Sequence, residues 1–311
     1  MAERARAEPP LPPRELMAGV GHDADENLEY AYLLIGEELK SRIVELLGPG
    51  WDWDGKRVLD FGCGSGRLLR QFLDEARVAE FHGSDINEEM VRWVGENLCP
   101  PIAAVQVNGR RPPLDHPAGR FDLVTALSVF THIADGWSAW LLEMRRILKP
   151  DGLLIATFLD SSCARFLASA PWDEERVGMS AFGFADPQMD WENVLHSHWW
   201  LREHWGRAFD IVELVPGTDM AHEGGVVCPT QGWIVLRPKA VELTSAELER
   251  EDPDDPRYRE ARHYQYELLR AEGEMLRRRQ RELTESASWR ITAPLRRAKR
   301  LLRRRRNSSR R

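Results

Sequence analysis

The chain has 311 residues, of which 42% are hydrophobic and 30% charged, with a net charge of -7. That length admits one domain of about 200 residues with appendages, and no run approaches the ~18 consecutive apolar residues of a membrane-spanning helix, which argues against an integral membrane protein. The four cysteines, Cys63, Cys99, Cys163 and Cys228, have no C-x-x-C spacing, so free thiols are expected rather than a disulfide framework or a structural zinc site.

Residues 1–24 open with a Pro-rich, charged stretch, MAERARAEPPLPPREL, and are expected to be disordered. Charges and prolines stand where a secretory signal would carry its apolar region, so a cytoplasmic location is expected. From Asp25 to Leu47 the apolar positions Leu28, Ala31, Leu34, Ile35, Leu39 and Ile43 recur at helical spacing, and Gly48-Pro49-Gly50 stops the run. This helix either packs on a core or forms a flap over a bound molecule, with Tyr30 or Tyr32 touching it.

The next stretch, RVLDFGCGSGRLLR (residues 57–70), organises the rest. Val58-Leu59 reads as a strand that Asp60 closes; Gly62, Gly64 and Gly66 follow at alternate positions; Leu68, Leu69, Phe72 and Leu73 then read as a helix. Glycine lets backbone approach a ligand closely, and a helix start presents free N–H groups. The dinucleotide fingerprint G-x-G-x-x-G would need glycine at position 67, where Arg67 stands. A dinucleotide is therefore the weaker reading.

A second strand over Ala79–Ser84 ends in Asp85, and Asn87 caps a helix through Met90, Val91, Val94 and Leu98. An acidic residue about 20 to 25 positions past a glycine loop, at a strand's carboxyl end, is placed to accept both hydrogen bonds of a ribose diol, with Ile86 beside it. Alternatively, Asp85 serves only the helix dipole. Ile102–Val107 reads as a third strand ending at Asn108-Gly109, Phe121–Leu127 as a fourth, Trp137–Leu148 as a helix, Lys149–Gly152 as a turn and Leu153–Phe158 as a fifth strand. Strands alternating with helices predict a parallel sheet covered on both faces. The arginines Arg110, Arg111 and Arg120 are read as solvated loop charges.

The D-x-G-x-G-x-G pattern of Asp60, Gly62, Gly64 and Gly66 resembles the first motif of class I S-adenosylmethionine-dependent methyltransferases. FDLVTALSVFTHI and ILKPDGLLIATF look like the fourth and fifth strand motifs of the same superfamily, and the ordered set matches over residues 25–238. The resemblance implies a doubly wound α/β fold with a seven-stranded, mostly parallel, Rossmann-like sheet. His198–Gly206 then reads as a helix, and Phe209–Val215 and Gly232–Arg237 as the last two strands, the final one antiparallel between its neighbours. It also implies S-adenosyl-L-methionine as cofactor, with Gly62, Cys63, Gly64 and Gly66 around the methionine part and Asp60 helping to hold its amino group. Asp85 and Ile86 would take the ribose edge, Asn108 and Gly109 the adenine, and Ser128 would lie beside the sulfonium.

Residues 159–196 carry Phe166, Trp172, Phe182, Phe184 and Trp191, more aromatics than a surface loop needs. The segment is read as a lid over the carboxyl ends of the strands, the alternative being a satellite hydrophobic cluster. Methyl transfer to a hydroxyl needs a base. His132 is the nearest candidate in sequence, and His196, His198, His204 and His222 are alternatives. No metal is assigned, since the His196, His198, Glu203 and His204 group lacks the paired carboxylates that suit magnesium.

Beyond Pro238, residues 239–256 are read as an acidic linker and 257–311 as a helical tail. Ala261, Tyr264, Leu268, Ala271 and Met275 make an a/d seam of about two heptads, suited to a weak coiled coil or a docked helix. Ten basic residues and no acid fall between Arg296 and Arg311. Such an end suits peripheral contact with an anionic membrane at its inner face, while no base-reading module points to specific nucleic-acid binding. The string SASWRITAPLRR resembles a C-terminal signature of bacterial enzymes that build surface polysaccharides, methyltransferases and glycosyltransferases among them. That resemblance implies a glycan, lipid-linked sugar or sugar-nucleotide hydroxyl as acceptor, or contact with a glycosyltransferase. A small secondary metabolite as acceptor, or a non-catalytic scaffold, are the competing readings.

Overall fold

The computed structural model describes residues 9–18, 27–167, 171–183, 192–221, 227–286 and 291. In chain order the elements are α1 (Arg14–Ala18), α2 (Leu28–Leu47), β1 (Arg57–Phe61), β2 (Glu80–Asp85), α3 (Glu88–Asn97), β3 (Ala104–Val107) and β4 (Phe121–Ala126). Then come α4 (Trp137–Ile147), β5 (Leu148–Phe158), α5 (Ser161–Leu167), β6 (Met179–Phe182), β7 (Asn193–His196), α6 (His198–Ala208) and β8 (Phe209–Val215). Finally there are β9 (Asp219–Ala221), β10 (Val227–Pro229), β11 (Gly232–Pro238), α7 (Ser245–Glu249) and α8 (Pro256–Glu285).

Seven strands form one sheet in the order β3-β2-β1-β4-β5-β11-β8. Only β11 runs antiparallel to its neighbours β5 and β8. The chain moves outward from β1 to β2 and β3, then returns to lay β4 on the other side of β1, which makes the carboxyl ends of β1 and β4 a topological switch point.

Two apolar layers cover the sheet. One joins Leu59, Phe121, Val124 and Leu154 to α4 and α6 through Trp140, Leu141, Met144, Leu201 and Trp205. The other joins Val58, Phe81, Leu123 and Ile155 to Ile43, Phe72, Val94 and Leu98. Sheet residues with apolar neighbours on both faces read as continuous apolar runs, and each buried Val, Leu or Ile contributes about 1.5–3 kcal/mol relative to exposure.

Four expectations are corrected. The segment after the glycine loop forms two 3-10 turns, Leu69–Phe72 and Glu75–Arg77, instead of an α-helix. Strand β5 starts at Leu148, so Lys149–Gly152, read as a turn, lies in the strand. Within the stretch expected to be disordered, Met17 packs against Leu28 and Tyr32, and the Pro9 and Pro10 carbonyls accept hydrogen bonds from Arg70; residues 1–8 and 19–24 lie outside the described residues.

The stretch read as a linker is docked. Thr244 and Glu247 form a capping box at α7, and Leu248 is fully buried in the main core. Ser138 donates to the Glu249 carboxylate, and Arg145 donates to the Lys239 and Val241 carbonyls. Polar composition suggested a linker, but Leu248, with Leu243 packed beside it, and the backbone acceptors fix the stretch to the core.

Candidate functional site

Strand β1 carries Asp60 into the centre of the sheet, opposite Thr125 of β4, whose hydroxyl donates to Asp60 Oδ1 at 2.8 Å. The carboxyl group is 4% exposed, and burial pushes its pKa up to about 7, with Asp85 adding to the rise and Thr125 and Arg67 opposing it. Arg67 is thus more than a missing glycine. Its guanidinium is itself held below its ordinary pKa by burial, while Tyr32 and Asp60 favour its charge.

After Phe61 the chain turns sharply, with φ of +80°, +52° and +83° at Gly62, Gly64 and Gly66. A Cβ on Gly62 would lie 2.3 Å from Val129 Cγ2, and one on Gly66 would lie 2.7 Å from Leu98 Cδ1. Both backbone sign and space therefore require glycine there. The Gly62 and Cys63 N–H groups donate to the Ser84 carbonyl at 2.7 and 3.0 Å, and Gly64 N–H donates to Asp85 Oδ2 at 2.8 Å. The loop is folded onto the end of β2.

Asp85 Oδ1 accepts the Asn87 N–H at 2.8 Å, while Asn87 caps α3 by accepting from Glu89 and Met90. Ile86 and Val107 stand exposed beside it, at 49% and 50%. Asn108 continues this rim, its Oδ1 accepting the Ser84 hydroxyl at 2.6 Å and its Nδ2 donating to the Gly109 carbonyl at 2.9 Å.

At the end of β4, Ser128 adopts φ +54°, a conformation that strains a non-glycine residue and persists only where neighbours fix it. The Thr157 hydroxyl accepts its N–H and Gln231 Nε2 donates to its Oγ, both at 2.7 Å. The one-turn helix beyond it brings His132 to β7, where Nδ1 meets the Glu192 carbonyl at 2.7 Å. Burial lowers the His132 pKa against the smaller upward effect of that carbonyl.

Helix α2 closes the loop from the other side. Tyr32, 2% exposed, donates from its hydroxyl to the Ser65 carbonyl at 3.0 Å and lies 3.2 Å from the Ser65 hydroxyl; burial raises its pKa to about 12. Tyr30 is 67% exposed. Tyr32 thus packs as a core residue, as the first alternative for this helix has it, with its hydroxyl on the loop.

The aromatics of the 159–196 insertion divide. Phe182 and Trp172 join Leu159, Cys163 and Leu195 in a satellite cluster with Tyr264 and Leu268 of α8. Phe184 and Trp191, like His222 and the 294–311 end, lie outside the described residues. Gln265 of α8 exchanges two hydrogen bonds with the Ala181 backbone, at 2.8 and 2.7 Å, and Glu272 accepts the Gly183 N–H at 2.9 Å. Tyr264 and Leu268 of the tail's apolar seam are therefore docked on the insertion, while Met275 at its end is 47% exposed.

His204 fastens this assembly, with Nδ1 2.6 Å from the Leu248 carbonyl and Nε2 3.1 Å from the Tyr258 hydroxyl. Glu203 pairs with Arg207. Among the described residues, no group of three or more His, Cys, Asp or Glu side chains is arranged to hold a metal ion, and no helix is long and apolar enough to cross a membrane. Sequence reasoning missed Gln231 and Asp160; the second sits two residues past the fifth strand, near the carboxyl ends of the strands where a polar residue merits notice.

Residues 29–217 match a family described as a methyltransferase domain. The chain belongs to that family. S-adenosylmethionine is the cofactor that goes with this methyltransferase domain. The domain is similar to a biotin biosynthesis bifunctional protein of Bordetella avium, 31% identical over 160 residues, which cover 50% of this chain and 32% of that protein. It is also similar to a ubiquinone biosynthesis O-methyltransferase of Cereibacter sphaeroides, 29% identical over 154 residues, 44% of this chain and 56% of that protein. The chain thus spans about a third to just over half of these curated relatives. Among solved structures, an S-adenosylmethionine-dependent methyltransferase from Mesorhizobium loti aligns with a TM-score of 0.48 at 15% identity, covering 63% of this chain and 96% of that one.

Proposed function

We propose that this methyltransferase transfers a methyl group to a hydroxyl of a glycan, lipid-linked sugar or sugar nucleotide in cell-surface polysaccharide assembly. The observation that carries the cofactor site is the Asp60, Gly64 and Asp85 constellation at the switch point. The cofactor has a cationic amino group, a ribose diol and an adenine ring, and the residues present suit each. A buried carboxyl group at Asp60 with a raised pKa gains from a nearby cation. The Asp85 carboxylate, already turned toward the Gly64 N–H, has lone pairs left for a diol. Ile86 and Val107 offer an exposed apolar edge to a ring, and Asn108 and Gly109 offer polar groups beside it.

In this reading Gly62, Cys63, Gly64 and Gly66 shape the cradle and Ser128 stands at the reacting end. The bound cofactor supplies an activated methyl group on a sulfonium. The protein's part is to hold the acceptor oxygen in line, exclude water and remove a proton. His132, whose Nδ1 meets the Glu192 carbonyl, is the candidate for that proton by its place after the fourth-strand motif, and it is weighed against His198 below.

The acceptor class rests on the tail signature SASWRITAPLRR and on its basic end, which suits docking at the inner face of a membrane or beside a glycosyltransferase. A second reading, a small lipid-like or quinone-like acceptor, draws on the ubiquinone and fatty-acid O-methyltransferases among the relatives. Mass spectrometry of the surface glycan with and without the protein tests the first. Loss of one methyl group supports it, and an unchanged glycan with a methylated small molecule supports the second.

A further inference from the structure

A second polar constellation stands at the same edge of the sheet, one strand away from Ser128. Asp160, two residues past the end of β5, is fully buried, yet against the cost of burial its carboxylate is held below its ordinary range by hydrogen bonds from His198, Gly217 and Ser162. Oδ1 accepts the Ser162 N–H at 3.1 Å and the Ser162 hydroxyl at 2.9 Å, and Oδ2 accepts the Gly217 N–H at 2.8 Å. The remaining donor to Oδ2 is His198 Nε2, at 3.2 Å.

Bonded contacts tie this pair to the reacting end. Gln231 donates to Ser128, and the carbonyl of its neighbour Thr230 lies 2.7 Å from the Ser162 hydroxyl, whose one proton is shared between that carbonyl and Asp160 Oδ1. The Phe158 ring lies edge-on to the His198 ring at 5.7 Å, and Gly232 crosses directly over Phe158. The His198 side chain is 28% exposed, so it is open to solvent.

We propose that His198 is the proton-accepting catalytic residue of the methyl transfer and Asp160 its positioning partner. As an acceptor oxygen forms its bond to the methyl carbon, the bond from carbon to sulfur breaks with its electron pair remaining on sulfur. The hydroxyl proton passes to His198 Nδ1, and Asp160 holds the resulting imidazolium through Nε2–H. The inference rests on the hydroxyl-directed methyltransferase reading given above.

A base must hold a proton as well as take it. Burial lowers the basicity of His132 and draws His196 and His204 down to about 3 and about 4. Among the described histidines His198 is the one raised, chiefly by the Asp160 hydrogen bond against its own burial, with Glu174 adding and Arg202 opposing. Those three are the charged groups that face it: Asp160 from the end of β5, Glu174 from the loop after α5, whose Oε1 accepts the His198 N–H at 2.7 Å, and Arg202 from its own helix.

The test uses the full chain. Ring-proton NMR should show His198 titrating above an ordinary histidine, with Asp160→Asn lowering its midpoint by about one pH unit or more. With methyl-labelled S-adenosylmethionine and extracted lipid and glycan fractions as acceptors, His198→Gln should slow transfer about 100-fold. Its calorimetric affinity for S-adenosylhomocysteine should stay within about twofold of the parent, because His198 is placed on the acceptor side. A His198→Gln rate within about threefold of the parent, or a His198 midpoint that Asp160→Asn does not move, overturns the assignment. Absence of any S-adenosylhomocysteine heat in the parent protein would instead defeat the cofactor site, so the two failures are distinguishable.

Discussion

The Asp85 carboxylate accepts the Gly64 N–H at 2.8 Å across 21 residues of sequence, so the acidic end of β2 and the glycine loop are one unit. A substitution at Asp85 therefore acts twice in the proposed site, removing the acceptor assigned to the ribose and releasing the loop. Asp85→Ala should weaken S-adenosylhomocysteine binding at least about tenfold, equal to about 1.4 kcal/mol, with far-ultraviolet circular dichroism unchanged. Asp85→Asn, which keeps one acceptor oxygen, should lose less. Equal affinities for all three proteins in calorimetry would remove Asp85 from the site.

Asp60 predicts a pH dependence of stability in the cofactor-free protein. Its pKa is 3.8 in an unfolded reference and about 7 in the fold. Between those values the folded chain binds more protons than the unfolded one, so this group's contribution makes stability fall as pH rises through that window and level off above it. Asp60→Asn should flatten that slope in melting curves between pH 5 and 8 while weakening cofactor affinity. If the cofactor amine sits against the carboxylate, binding at pH 6 should release a proton, detectable by calorimetry in buffers of different ionisation enthalpy.

Tyr32 supplies the contact between α2 and the loop. Tyr32→Phe removes its hydroxyl from Ser65 without changing ring packing, which should cost about 1 kcal/mol. Melting temperature should fall by about 1–2 °C for a protein of this size, and amide exchange across residues 62–66 should speed up. An unchanged exchange pattern would show that the loop holds its shape without α2.

Leu268 on α8 is fully buried among insertion residues. Leu268→Ala should cost about 2–5 kcal/mol locally, and hydrogen exchange should rise first in β6 and β7 while β1 and β4 stay protected. Uniform loss of protection would mean that the tail helix supports the whole sheet instead of the insertion.

The basic end offers a separate test. Deleting residues 294–311 removes ten basic residues, each worth roughly 1 kcal/mol at an anionic surface. Sedimentation with anionic vesicles should be lost and should fall with added salt in the parent protein. Equal sedimentation with and without the segment contradicts peripheral docking.

The main sheet was legible because most of its strands are short runs rich in apolar residues with a polar residue at or beside the carboxyl end. Asp60 stands one residue before the end of β1, Asp85 at the end of β2 and Asn108 just after β3. The glycine spacing exposed the loop, though not its 3-10 continuation, since Leu68, Leu69 and Phe72 satisfy a helical pattern without forming an α-helix. Contacts between distant segments carry no local signal. Gln231 lies 103 residues from Ser128, and Gln265 lies 84 from Ala181. Likewise the acidic composition of 239–256 hid the burial of Leu248, and His132 drew attention by sequence proximity while Asp160 and His198, 38 residues apart, met only in the fold.

The central claim is that the switch point holds one adenosyl cofactor. Hydrogen exchange of the full chain with and without S-adenosylhomocysteine, paired with calorimetry, tests it most directly. The expected result is one molecule bound per chain with new protection over residues 60–66, 85–86 and 108–109. Absence of heat, or protection confined to other segments, contradicts it.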